Sequence, residues 1–148
     1  MKRIFFREEV CMGCTLCEVH CIIQHSTSKD IIKAYKREEP KPISCVRVEV
    51  DHPISFAIQC QHCKDRPCVM ACLSGAMMWD DKTGSVVHNS EKCMGCWTCI
   101  AVCPYSVIKM DMTKGRIVAK CDLCQEIDVP ACVANCPNEA LVYKEVAP

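Results

Sequence analysis

The stretch Cys93-Met94-Gly95-Cys96-Trp97-Thr98-Cys99-Ile100-Ala101-Val102-Cys103-Pro104 decides how this chain is read. Three cysteines follow at steps of three, a fourth comes four residues later, and a proline closes the run. The same spacing recurs near the start, at Cys11, Cys14, Cys17 and Cys21. Two looser quartets complete the set: Cys60, Cys63, Cys68 and Cys72, then Cys121, Cys124, Cys132 and Cys136. Sixteen of the seventeen cysteines fall into these four quartets. The final step of each is four residues, which puts two side chains on one face of a helical turn. Each quartet therefore predicts a loop of thiols ending in a single turn of helix.

Thiolates select zinc, copper(I) and iron–sulfur clusters. Zinc is the serious competitor, because paired C-x2-C also serves structural zinc sites. It suits Cys121 and Cys124 but not three cysteines at successive steps of three. That tighter run suits a chain wrapping one face of a cubane, and its fourth cysteine ligates the other cluster of a pair. The chain thus offers complete ligand sets for four [4Fe-4S] clusters, with all sixteen quartet cysteines as iron ligands. A chain carrying four clusters and little else is a path for electrons, not an enzyme in its own right.

Composition agrees. So many cysteines in 148 residues would suit a secreted disulfide scaffold. The opening Met1-Lys2-Arg3-Ile4-Phe5-Phe6 has no apolar run of signal-peptide length, so a soluble protein in a reducing cytoplasm is expected. No stretch approaches the length of a membrane span. Lysine plus arginine and aspartate plus glutamate number 18 each, so the formal charge is zero. Four oxidised clusters with their thiolates would add about −8, leaving an acidic holoprotein with no call for nucleic acid. Only eight residues are aromatic, so clusters are expected to replace much of the core and to be needed for folding. Five isolated glycines form neither G-x-G-x-x-G nor a P-loop. C-x2-C-H is missing as well. The other class of function, a structural or regulatory metal protein such as a redox sensor, is expected to need an output domain, for which 148 residues leave no room.

The first and third quartets resemble each other, as do the second and fourth, so each cluster pair is expected to use one of each. Sequential pairing (one with two, three with four) and nested pairing (two with three, one with four) both satisfy that, and spacing does not choose. Hairpins are predicted at Met77–Val87 around Asp80-Asp81-Lys82-Thr83-Gly84, and at Ile108–Val118 around Lys114-Gly115. Further strands are predicted at Arg3–Phe6, Val46–Val50 and Leu141–Lys144. Ser28–Glu39 predicts a short helix capped by Ser28, with Ile31, Ile32 and Tyr35 inward and Pro40 and Pro42 ending it. It belongs to no cysteine motif and reads equally as a partner-docking element or a connecting loop.

Cys45 stands outside the quartets and reads as a buried free thiol. His62, between Cys60 and Cys63, is expected to hydrogen-bond or shield a cluster rather than ligate it. Lys64, Arg66, Lys92 and Lys120 neighbour the ligands and read either as charges that raise potentials or as ordinary solvated ones.

Taken together, the four motifs resemble the four-cluster, ferredoxin-like electron-transfer subunits of dimethyl-sulfoxide reductase, formate dehydrogenase and hydrogenase complexes. The resemblance implies nested pairing. Cys11, Cys14 and Cys17 would share a cluster with Cys136; Cys121, Cys124 and Cys132 with Cys21; Cys60, Cys63 and Cys68 with Cys103; Cys93, Cys96 and Cys99 with Cys72. The implied fold is α+β: two ferredoxin-like 2[4Fe-4S] modules, one nested inside the other, with small β-hairpins and short helices around the clusters. The outer module would take residues 1–50 plus 112–148 and the inner one 51–111.

Within that group, Cys68–Ala76, Cys96-Trp97-Thr98-Cys99 and Pro130–Leu141 look most like the iron–sulfur partner of nickel carbon-monoxide dehydrogenase. That implies relay of electrons from the dehydrogenase to a flavoprotein NAD(P) oxidoreductase or a hydrogenase. The alternative is service to an aldehyde, formate or other molybdenum or tungsten oxidoreductase. Ile22 and Leu73 stand where the simplest ferredoxin pattern has proline, which affects local chain direction rather than ligation.

Overall fold

Short antiparallel ribbons alternate with single turns of helix in the computed structural model, which describes residues 1–111 and 116–146. β1 (Lys2–Phe6) pairs with β8 (Leu141–Glu145), from Lys2 opposite Glu145 to Phe6 opposite Leu141. This ribbon buries Ile4 and Leu141 and joins the first and last described strands. β4 (Met77–Asp80) and β5 (Ser85–His88) form the expected hairpin. The Asp80 carbonyl and carboxylate cap its turn, accepting from the Gly84 N–H and the Thr83 hydroxyl at 2.7 Å each. β6 (Lys109–Asp111) pairs with β7 (Arg116–Ala119), and the register shifts between Lys109 and Met110. The turn expected at Lys114-Gly115 lies outside the described residues.

β2 (Val46–Asp51) was expected, but its partner β3 (Ile54–Gln59) was not. The reason is inverted patterning. Ile54 and Phe56 are 58% and 40% exposed, whereas Ser55, Ala57 and Gln59 are buried. A search for apolar-inward alternation misses a strand whose small and polar side faces in.

Three of the predicted helical turns appear at their expected length: α3 (Pro67–Met70), α4 (Thr98–Ala101) and α5 (Ala131–Ala134). α1 (Leu16–His25) runs longer, ten residues, and buries Cys17 and Cys21 on one face. α2 (Ile31–Lys36) corrects the expectation for 28–39. Its cap is Asp30, whose carboxylate accepts the Lys33 N–H at 2.9 Å. Ser28 is held outside the helix by Glu38, which accepts its N–H at 2.8 Å. Ile31, Ile32 and Tyr35 face outward at 52%, 63% and 72% exposure, and Ala34 is the inward residue. A helix this short buries one position, and the smallest side chain takes it.

Two cores result. One joins Ile4, Val46, Ala57, Ala119, Leu123 and Leu141 to Cys17, Cys21, Cys45, Cys121 and Cys132. The other joins Ala76, Met77, Val86 and Ile108 to Cys68, Cys93 and Cys99. Cysteine is a large part of both, as the scarcity of aromatic residues implied. The architecture is small α+β, with short helices and strand pairs arranged around thiols.

Candidate metal centres

The turns that bear the cysteines carry unusual backbone. Gly13 and Thr15 have φ of +67° and +60°, and their counterparts Gly95 and Trp97 have +75° and +57°. His62 and Arg66 in the second motif, and Leu123 and Cys124 in the fourth, are left-handed too. Positive φ is uncommon outside glycine, and such residues near the start of a turn gather N–H groups into an anion-binding concavity. The internal repeat seen in sequence is therefore a repeat of backbone shape.

Folding gathers two quartets of thiols around two cavities and brings the remaining thiols near one another. Cys11, Cys14, Cys17 and Cys136 line one cavity. Cys72, Cys93, Cys96 and Cys99 line another. Cys60 and Cys103 lie near enough to Cys63 and Cys68 to help push both thiols up, after burial. Cys21 and Cys121 do the same to Cys132, together with Cys124. In both cavities three thiols come from one motif and the fourth from another.

The donor chemistry favours a polynuclear group over zinc. One tetrahedral zinc ion at about 2.3 Å from each sulfur needs sulfurs about 3.8 Å apart. Among the described residues, the sets whose ligand atoms lie within 4.8 Å of one another are Cys21–His25–Cys45 and His25–Asp122–Cys124, not the quartets. The quartets are more open, as a cluster several atoms across requires. Backbone N–H groups already point at sulfur: Met77 to Cys72 at 3.3 Å and Ala140 to Cys136 at 3.2 Å. His88 forms part of the wall of the Cys72 cavity, and its Nε2 is buried without a partner among the described residues. Burial pushes Cys17 up to about 12 and Cys99 to about 11. Deprotonating such thiols on metal binding releases protons.

The surroundings refine the expected roles. Cys45 is buried as expected, and it is not idle. Its N–H donates to the Cys21 sulfur at 3.2 Å. A hydrogen bond from the Cys45 thiol, helped by His25, holds Cys21 well below the ordinary thiol range. His25 bridges the Cys21 carbonyl at 2.8 Å and the Asp122 carboxylate at 3.2 Å. Those contacts, Asp122 first, raise it to about 11. His25 was missed in sequence, although its place four residues after Cys21 on one helix face was the available signal. His62 Nδ1 accepts the Val86 N–H at 2.9 Å, which leaves the proton on Nε2. Burial, then the charges of Lys120 and Arg3, push this imidazole down to about 2. Of the four cations beside the motifs, Lys64 and Lys92 are exposed. The Arg66 guanidinium lies 3.9 Å from the centre of the Trp79 ring. Lys120 is buried, donating to the Cys121 carbonyl at 2.8 Å and to the Cys60 sulfur at 3.4 Å.

Residues 52–146 match the family described as "4Fe-4S dicluster domain". The putative electron transport protein YsaA of Escherichia coli is 33% identical, over 92% of this chain and 85% of YsaA. The polyferredoxin-like subunit of aliphatic sulfonate oxidoreductase from Pyrococcus furiosus is 39% identical, over 90% of this chain and 70% of that subunit. The chain spans only 21% of another relative, the E. coli putative oxidoreductase AegA, at 32% identity. A chain of the active site complex BamBC of benzoyl coenzyme A reductase shares the fold, with a TM-score of 0.53 and 22% identity over 97% of this chain and 76% of that one.

Proposed function

The chain belongs to the 4Fe-4S dicluster domain family, and from that premise we propose that it is a cytoplasmic electron carrier holding four [4Fe-4S] clusters. The observation that carries this reading is the pair of cavities lined by Cys11, Cys14, Cys17 and Cys136 and by Cys72, Cys93, Cys96 and Cys99, each drawn from two motifs. The proposed ligand sets are Cys11, Cys14, Cys17 and Cys136; Cys21, Cys121, Cys124 and Cys132; Cys60, Cys63, Cys68 and Cys103; Cys72, Cys93, Cys96 and Cys99. When bound, such clusters supply reversible one-electron transfer at potentials set by their surroundings. The first two sets define the outer module, residues 1–50 with 112–148, and the other two the inner module, 51–111. The β2–β3 ribbon carries the chain from one to the other.

Neighbour relations support an order for the sets. Cys17 lies close enough to help raise Cys132, and Cys60 to help raise Cys121. The outer set of Cys11 therefore adjoins the Cys121 set, which adjoins the Cys60 set. The Cys60 set shares the second core with the Cys72 set through Cys68, Cys93 and Cys99. Each end of this row carries an exposed thiol. Cys14 and Cys96 are exposed, and each stands two residues from an exposed methionine, Met12 at 61% and Met94 at 64%. Between them all four cysteines of the Cys121 set are buried, whereas in the Cys60 set Cys68 is buried and Cys60, Cys63 and Cys103 are half-buried. An exposed thiol at each end is what a through-carrier needs. Among the described residues no helix is long and apolar enough to cross a membrane.

The proposed donor is nickel carbon-monoxide dehydrogenase and the acceptor a flavoprotein NAD(P) oxidoreductase or hydrogenase. The second reading is service to a molybdenum or tungsten oxidoreductase. The name of the P. furiosus relative, a subunit of a sulfonate oxidoreductase, favours keeping an oxidoreductase other than the dehydrogenase in play. Anaerobic mixing separates them. Catalytic amounts of dehydrogenase under carbon monoxide should bleach the visible absorbance of this protein within seconds. Bleaching no faster than without dehydrogenase, with rapid reduction by an aldehyde or formate oxidoreductase, favours the second.

A further inference from the structure

Lys120 ends the approach of β7 to the fourth motif and is 9% exposed. Lysine is almost never so buried without a partner for its charge. Among the described residues its ammonium makes no ion pair with a carboxylate. Its partners are the Cys121 carbonyl at 2.8 Å and the Cys60 sulfur at 3.4 Å. Cys121 belongs to the outer module and Cys60 to the inner one. The lysine's charge also works against the rise of the Cys68 and Cys121 thiols. Its carboxylate neighbour on the chain, Asp122, is already engaged by His25 at 3.2 Å and by the Cys124 N–H at 2.9 Å.

We infer that Lys120 is the fixed charge at the junction of the two modules, where it raises the reduction potential of the Cys60–Cys63–Cys68–Cys103 site. The physics is direct. Reduction adds one negative charge, and a desolvated cation touching one of the ligands favours the electron-rich state. The contact is with a Cys60 thiolate, so the Cys60 set gains more than the Cys121 set, which Lys120 meets through a backbone carbonyl. The exposed Lys64 and Lys92 are screened by water and do not compete. An electron crossing between modules passes beside this side chain, and Lys120 makes the inner side of the junction the more favourable resting place.

This inference rests on the four-cluster reading, so the test first separates the two. Iron and sulfide are measured anaerobically in the wild type and in K120M, K120Q and K120R. A wild type short of four clusters counts against the reading itself. With full content, the proteins are titrated against potential and followed by electron paramagnetic resonance. The two neutral variants should move one component to lower potential, so that at fixed potential its reduced-to-oxidised ratio falls by about tenfold. The other components should stay in place, and K120R should restore most of the loss. Titrations of K120M and K120Q that superpose on wild type overturn the inference. So does an equal shift in K120R. Loss of iron from both neutral variants, with K120R fully loaded, also overturns it, because Lys120 would then serve assembly rather than potential.

Discussion

Replacing Cys136 with alanine gives the sharpest test of how the motifs are wired. Cys136 lies in the fourth motif, yet the structure sets it against Cys11, Cys14 and Cys17, and its sulfur accepts the Ala140 N–H at 3.2 Å. Cys136→Ala should therefore empty the site at the start of the chain and spare that of Cys121, Cys124 and Cys132. Iron should fall by about four atoms of about sixteen. With the link from Cys21 to Cys132 spared, the link from Cys11 to Cys136 closes a further loop of about 14 residues. In the chain-entropy picture a closure of that length is worth about 3 kcal/mol, a sizeable share of the roughly 5–15 kcal/mol of a typical domain. For a chain of this size each kcal/mol moves the melting temperature by about 2–4 °C, so a drop of about 6–12 °C is expected. The assay is anaerobic calorimetry with electron paramagnetic resonance of the reduced protein, run beside Cys11→Ala and Cys121→Ala. Cys136→Ala should lack the same signal as Cys11→Ala. If it instead lacks the signal missing from Cys121→Ala, the fourth motif ligates its own cluster and the nested wiring is wrong.

Two further outcomes test the packing around the sites. Met77 is 2% exposed in the second core, and its N–H reaches the Cys72 sulfur. Met77→Ala should cost about 2–5 kcal/mol and loosen the Cys72 site before the Cys11 site, read as earlier bleaching of one component on heating; simultaneous bleaching of all would contradict two separate cores. Gly13 and Gly75 have φ of +67° and +64°, but a Cβ on Gly13 would lie 2.9 Å from Val50 and one on Gly75 would meet nothing. Gly75→Ala should cost about 1 kcal/mol and Gly13→Ala about 1–3 kcal/mol, measured as anaerobic melting shifts; equal shifts would refute a steric role for Gly13.

The thiol pattern made the site legible because cluster ligation imposes fixed steps on the chain. The hairpin at Asp80–Gly84 was equally plain, since turn residues and flanking apolar runs act over a few positions. β3 was hidden because Ser55 and Gln59 face inward and Ile54 and Phe56 outward, against the usual alternation. α2 lies within the expected stretch but is shorter, capped by Asp30 and turned the other way. With only Ala34 buried, its apolar Ile31, Ile32 and Tyr35 report a surface groove beside α1 rather than a core. Lys120 looked no different in sequence from Lys64 or Lys92. What separates them is the direction in which β7 delivers the chain, and that depends on pairing across the whole fold.

The central claim is four clusters on sixteen cysteines, and metal analysis of protein purified without oxygen tests it most directly. About sixteen iron and sixteen acid-labile sulfide per chain are expected. Stoichiometric zinc without sulfide, or iron at half that level with two quartets open to thiol-specific alkylation, would contradict it.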